Sequence, residues 1–214
     1  MRTAEDVDTA VRHGADAVGF VFADSPRQVS AETARDLVRR VPDHVVTVGV
    51  FRNQDVTAVR DCARTAGLGA IQLHGDEGPE QYAALRSETR TLIRSLAFPA
   101  QQPLRHGEFG EDLVLVDAPV PGSGRAWDWD TAGFAPPSGR WLLAGGLTPD
   151  NVAEAVRVLT PWGVDVSSGV ESRRGVKSPA LIEAFIKAAA ALGRVLAGPA
   201  RPARLPRPPE AAAR

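Results

Sequence analysis

Leu142-Leu143-Ala144-Gly145-Gly146-Leu147-Thr148-Pro149-Asp150-Asn151, with Gly163-Val164-Asp165-Val166-Ser167-Ser168-Gly169-Val170 behind it, decides how this chain is read. Each stretch passes from a short apolar run into glycines or serines and on towards a helix start. A turn of that kind aims backbone N–H groups at a point beyond the strand end, and so holds a phosphate without a lysine. Two such turns on consecutive strand–helix units match the phosphate cup formed after the last strands of a (β/α)8 barrel.

Outward from these turns, strand and helix patterns alternate along the chain. Ala4 to His13 carries apolar positions at Val7, Ala10 and Val11, acids early, Arg12 and His13 late, and Gly14 behind it. That predicts a helix whose charges suit the macrodipole. Strands are predicted over 17–22, 45–51, 70–74, 91–97, 113–117, 141–144 and 164–167. Helices are predicted over 30–41, with Ser30 as N-cap, and over 55–66, 79–85, 150–159 and 179–192. The strands are continuous apolar runs joined by short connections, as in parallel strands covered on both faces. A doubly wound sheet shares that pattern, but no G-x-G-x-x-G occurs early and the phosphate turns come late. The expected fold class is therefore α/β, a TIM (β/α)8 barrel.

Seven strands are read, and a closed barrel of this class takes eight. The chain opens on a helix, so the first strand is expected to be missing from in front of Arg2. A seven-stranded wall leaves two unpaired edges. The barrel domain is expected over 1–193. Residues 194–214, rich in Pro, Arg and Ala and without periodic apolar positions, are expected to form a disordered tail.

The 214 residues are 43% hydrophobic and 24% charged, enough for one domain with a real core. A net charge of −1 gives no electrostatic case for nucleic acid or an acidic membrane surface. The single cysteine, Cys62, excludes an internal disulfide framework and fits a reducing compartment, so a cytoplasmic protein is expected. No run approaches the roughly 18 apolar residues of a membrane span. The four histidines, His13, His44, His74 and His106, fall on different units, and only His74 ends a strand. No metal constellation follows, which argues against a metal-dependent sugar-phosphate epimerase on the same fold.

Gly14-Ala15-Asp16-Ala17-Val18-Gly19-Phe20-Val21-Phe22, with Ser25-Pro26-Arg27 and Val29-Ser30 after it, resembles the phosphoribosylanthranilate isomerase family. So do Val48-Gly49-Val50-Phe51-Arg52-Asn53, Ile71-Gln72-Leu73-His74-Gly75-Asp76-Glu77 and the two phosphate turns. Gly122-Ser123-Gly124-Arg125-Ala126-Trp127-Asp128-Trp129 is similar to the family's glycine-rich segment with its aromatic-Asp-Trp run. The resemblance runs in order over roughly 2–190. It implies a (β/α)8 barrel that carries out the Amadori rearrangement of tryptophan biosynthesis. N-(5-phosphoribosyl)anthranilate becomes 1-(o-carboxyphenylamino)-1-deoxyribulose 5-phosphate, with no cofactor and no metal. The implied partner is this small phosphorylated sugar, with no nucleic acid and no membrane, and the chain is a monomer or a homodimer. Two other readings stay open: a catalytically impaired sugar-phosphate-binding barrel, and another cofactor-free sugar-phosphate isomerase or epimerase.

The chemistry needs an acid for the ribose ring oxygen and a base for the C2′ proton. Asp117 ends the strand Leu113-Val114-Leu115-Val116-Asp117 and is, by the resemblance, the acid. That role asks for a raised pKa, which burial at a barrel mouth supplies. The family's base is a cysteine in a Lys-Ile/Val-Cys-Gly strand that this chain does not contain. Met1 to Val7 lines up with the residues following that cysteine. Cys62 lies mid-helix and reads as a packing residue.

Arg27 suits the anthranilate carboxylate, as the matching family arginine does. His74 contacts substrate or organises the rim. Phosphate is expected on the N–H groups of Gly145, Gly146, Ser168 and Gly169, with a hydroxyl from Ser167 or Ser168. Asp165 takes a supporting role. Trp127 and Trp129 read as packing aromatics. Arg173, Arg174 and Lys177 read as solvated charges that attract the dianion at long range.

Overall fold

A computed structural model describes residues 1–98, 105–117 and 134–196. Seven strands lie side by side in chain order: β1 (Ala17–Val21), β2 (Val46–Phe51), β3 (Ala70–Leu73), β4 (Thr91–Ala97), β5 (Leu113–Asp117), β6 (Trp141–Leu143) and β7 (Gly163–Val164). Every neighbouring pair is parallel. Around them stand α1 (Ala4–His13), α2 (Ala31–Val38), α3 (Val56–Ala66), α4 (Pro79–Leu85), α5 (Val152–Leu159) and α6 (Pro179–Leu196). The architecture is that of an α/β barrel of the TIM class, with seven strands in its wall among the described residues.

The helix starts are written locally. Thr3 accepts from Asp6 N–H while the Asp6 carboxylate accepts from Thr3 N–H, a capping box at the head of α1. Ser30 caps α2 by accepting from Thr33 N–H, as read, and Asp55 caps α3 by accepting from Thr57 N–H. Gly14 ends α1 at φ 94°, a left-handed conformation that a side chain disfavours.

Alternation along each strand sorts residues to two faces. One face carries Val46, Val48, Ala70, Ile93, Leu113, Leu115 and Ala144, packed on one another in the lumen. The other carries Val18, Phe20, Ile71, Leu73, Leu92, Val114, Val116 and Leu143, packed under the helices. Burial on both faces is why the strands read as unbroken apolar runs.

Among the described residues no strand pairs with the other side of β1, where Val21 makes a single bridge to Gln28, and β7 pairs with β6 alone. Met1 N–H donates to Gly19 O on the free side of β1. Outside those two edges α1 packs against α6, so the helix layer is continuous across them.

Three features depart from the sequence reading. Strand β7 stops at Val164, because the chain turns at Ser167 into a single 3-10 turn, Ser168–Val170. A hairpin that the sequence did not announce follows, β8 (Glu171–Arg173) and β9 (Val176–Lys177), paired antiparallel. Helix α6 runs to Leu196, past the end read at Leu192 and into the stretch assigned to the tail. One interior glycine, Gly193, costs only about 1 kcal/mol, too little to stop a helix that Arg194, Val195 and Leu196 continue. Residues 197–214 and the Trp127–Trp129 segment lie outside the described residues.

Candidate active site

The turns that follow β6 and β7 build one segment of the rim. Gly145 and Gly146 have φ of 82° and 68°, a left-handed pair that only glycine adopts at little cost. Asn151 fixes the turn: its Oδ1 accepts from Thr148 N–H at 2.8 Å and its Nδ2 donates to Gly146 O at 3.0 Å. The second turn lies directly against the first. A Cβ on Gly169 would sit 1.7 Å from Leu147 O, so the two backbones touch and form a single cup. No described residue accepts from the N–H groups of Gly145, Gly146, Ser168 or Gly169, which leaves four donors for an anion.

Asp117 closes β5 at 7% exposure. It shares the lumen face of Leu113 and Leu115 by alternation. The ladder continues one step past the strand ends: Ala144 N–H donates to Val116 O and Asp165 N–H to Leu143 O, each at 2.8 Å. Asp117, Ala144 and Asp165 therefore stand abreast. The two carboxylate-bearing positions are two strand spacings apart, about 10 Å. Asp165 is exposed, at the open side of β7.

His74 follows β3, half-buried, its Nε2 at 2.5 Å from Gln72 Nε2. Burial, helped by the nearby Arg52 cation, pushes its pKa down to about 4, so the imidazole is neutral at physiological pH. Its loop is clamped. Glu77 accepts from Asn53 N–H at 2.6 Å and from Gly75 N–H at 2.7 Å, and Asp76 N–H donates to Asn53 Oδ1 at 2.7 Å. A Cβ on Gly75 would meet Asn53 Oδ1 at 1.9 Å, so glycine is required for that approach.

Arg27 is not a loop-surface arginine. Its side chain is 14% exposed and grips Glu171 with Nε at 2.6 Å and Nη2 at 3.0 Å. Lys177 also departs from the reading as a solvated charge. It is 8% exposed and donates to Glu171 Oε1 at 3.1 Å and Ser167 O at 2.7 Å. Burial lowers its pKa against the pull of Glu171. Burial alone would raise the Glu171 carboxyl, but Arg27, the Gly175 N–H and Lys177 outweigh it and hold the group at about 2. Arg173 and Arg174 are exposed, as read. Sequence reasoning missed Glu171 altogether. The local signal was Gly175 between Arg174 and Val176, a turn residue with strand-forming positions on either side.

The chain's one cysteine stands elsewhere. Cys62 is half-buried on α3, and burial raises its thiol to about 11.

The rim thus carries N–H donors on two touching turns, an arginine braced on Glu171 just past the second turn, and a buried carboxyl on the lumen face. Known proteins are similar to this chain in sequence and fold. Residues 1–188 match the family model of N-(5'-phosphoribosyl)anthranilate (PRA) isomerase. The N-(5'-phosphoribosyl)anthranilate isomerase of Geobacter metallireducens is 41% identical over 194 residues, 89% of this chain and 96% of that protein. The structure of TrpF from Jonesia denitrificans matches with a TM-score of 0.81 at 40% identity, covering 90% of this chain and 94% of its own. A phosphoribosyl anthranilate isomerase in complex with reduced 1-(o-carboxyphenylamino)-1-deoxyribulose 5-phosphate matches with a TM-score of 0.74 at 33% identity, over 89% and 95% of the two chains. With paired glycine turns, a rim arginine and a strand-end aspartate on a parallel α/β wall, this chain belongs to the N-(5'-phosphoribosyl)anthranilate isomerase family.

Proposed function

We propose that the chain lays N-(5-phosphoribosyl)anthranilate across its rim, phosphate in the cup of Gly145, Gly146, Ser168 and Gly169 and carboxylate on Arg27. The Ser167 or Ser168 hydroxyl supplements the backbone donors, and neutral His74 lines the mouth between. The observation that supports this reading is the contact of Gly169 with Leu147, which brings the donors of two separate turns together on the rim that holds Asp117.

Chemistry then follows from position. The Asp117 carboxyl gives its proton to the ribose ring oxygen as the C1′–O bond breaks, and the anthranilate nitrogen lone pair forms an iminium. A base removes the C2′ proton, the electron pair makes an enolamine, and C1′ gains a proton as the C2′ hydroxyl loses its own, which yields the ketone. Nothing is oxidised or reduced overall, so no co-reactant is needed. The base is the cysteine that the resemblance puts on a Lys-Ile/Val-Cys-Gly strand. Cys62 does not serve, being on the helix layer with its thiol protonated near neutrality. The 214 residues thus carry the acid and both anchors, and their unaided turnover is expected to be low. The setting is the cytoplasm, and the protein acts as a monomer or a homodimer.

The test compares the 214-residue chain with the same chain preceded by a strand bearing Lys-Val-Cys-Gly, and separates substrate from product by chromatography. The extended chain is expected to convert about 10²–10⁴-fold faster, the usual yield of a general base. Absence of conversion by both, together with no binding of the reduced product, would refute the assignment.

A further inference from the structure

The hairpin β8–β9 follows the second phosphate turn and reaches across to the loop after β1. Gly175 makes the crossing possible: its φ is 80°, and a Cβ there would lie 2.8 Å from Pro26 O. Arg2 Nη1 donates to both Pro26 O and Gly175 O at 3.0 Å, tying the hairpin to that loop.

Glu171 is the centre of this joint. Its Oε1 accepts from Arg27 Nε at 2.6 Å and Lys177 Nζ at 3.1 Å, and its Oε2 from Arg27 Nη2 and Gly175 N–H, each at 3.0 Å. A buried carboxylate with four donors is an anion throughout the working pH range, and does not step aside for an incoming ligand. It therefore acts as a support for Arg27 and not as a rival of the substrate. Glu171 takes only the Nε–Nη2 edge of the guanidinium. Three of the five N–H donors remain on the outer edge, and no described residue accepts from them. Without Glu171 the two cations would repel and Arg27 would swing out. Lys177 completes the line, because its bond to Ser167 O at 2.7 Å ends in the phosphate turn.

We propose that Glu171 and Lys177 form a strut that holds Arg27 at a set distance from the phosphate turn, so that the site selects ligands by the spacing of carboxylate and phosphate. Both are positioning residues, and the proposal rests on the reading of Arg27 as the carboxylate's receptor.

Calorimetry on the 214-residue chain tests it with two probes, the reduced product and the same compound without its carboxylate. The unaltered chain is expected to hold the first at least about tenfold more tightly, and Arg27→Ala to abolish that preference. Glu171→Gln turns an amide N–H towards a donor. It should weaken the carboxylate-bearing probe about tenfold, and leave the other probe and inorganic phosphate within about threefold. Lys177→Met keeps the Arg27–Glu171 pair, cuts the link to Ser167 and should shrink the preference similarly. It decides the matter if circular dichroism finds Glu171→Gln unfolded. A preference that survives Arg27→Ala removes the underlying assignment of Arg27. A preference lost in Arg27→Ala but intact in the Glu171 and Lys177 variants overturns the strut. Equal loss on both probes overturns it too, since the hairpin would then be serving the phosphate turn alone.

Discussion

Gly169→Ala is the sharpest probe of the phosphate cup. The added methyl would stand 1.7 Å from Leu147 O, 2.8 Å from Leu147 C and 3.2 Å from Thr148 Cα. All three are backbone atoms, so no side-chain rotation relieves the overlap. An ordinary carbon–oxygen contact is about 3.2 Å, and the turns must part by about 1.5 Å to reach it. A donor displaced that far leaves hydrogen-bonding range. Hydrogen bonds to a charged group contribute about 1.5–3 kcal/mol each, and two of the four donors belong to the displaced turn. Affinity for the phosphorylated probe should fall about 10²–10⁴-fold, with about 1–3 kcal/mol of stability lost to overpacking. Calorimetric titration with the reduced product and its dephosphorylated counterpart separates the two effects. Only the phosphorylated compound should weaken. Retention of its affinity within about threefold in a folded Gly169→Ala protein would show that these N–H groups do not carry the phosphate.

In the chain extended by the cysteine-bearing strand, Asp117→Asn is expected to lower conversion about 10²–10⁴-fold while the reduced product still binds within about threefold. Unchanged conversion would remove Asp117 from the mechanism. His74, with a pKa of about 4 against an ordinary 6.5, binds its proton more readily in the unfolded chain. Stability should therefore be full above pH 6.5 and decline as pH falls towards 4, a limb of the melting curve that His74→Gln should flatten. Glu171, held at about 2 against an ordinary 4.5, contributes stability that is present above pH 4.5 and lost as pH falls towards 2, so Glu171→Gln should flatten only the lower limb. Alkylation of Cys62, whose thiol sits at about 11, should be slow at pH 7 and, once forced, leave binding of the reduced product unchanged.

The legible parts of this fold are those whose cause is local. Strand β5 falls where its apolar run puts it, because lumen and helix layer bury both faces and residues 113–116 have no polar interruption, while β4 keeps its place although Arg94 and Ser95 break its run. The first turn of α1 follows from Thr3 and Asp6, neighbours three apart. The glycine turns were readable for the same reason. Illegible was the joint made across the ring. Glu-Ser-Arg has no apolar alternation to mark a strand, and β8 exists because Glu171 meets Arg27 from 144 positions away. Lys177 looked solvated beside Arg173 and Arg174, since nothing local says that its neighbour in space is a buried carboxylate. His74 at a strand end was visible, but its neutrality depends on burial and on Arg52.

The joint matters beyond specificity because of where it lies. Strands β1 and β7 have unpaired sides among the described residues, so backbone hydrogen bonds do not hold those edges together. Two other devices span the same sector: α1 against α6 on the outside, and the Arg2, Arg27, Glu171 and Gly175 bonds at the rim. The rim bonds are also the carboxylate's proposed receptor and, through Lys177, an anchor of the phosphate turn. A ligand that bridges Arg27 and the cup then adds a third tie across the sector and stabilises the fold by RT ln(1 + [L]/Kd). A phosphate ion engages the cup alone and adds no such tie. Cutting the bridge between the two anchors should therefore raise Kd and lower the stabilisation for the bridging ligand while leaving that given by phosphate, a loss that a local carboxylate pocket on one loop would not show.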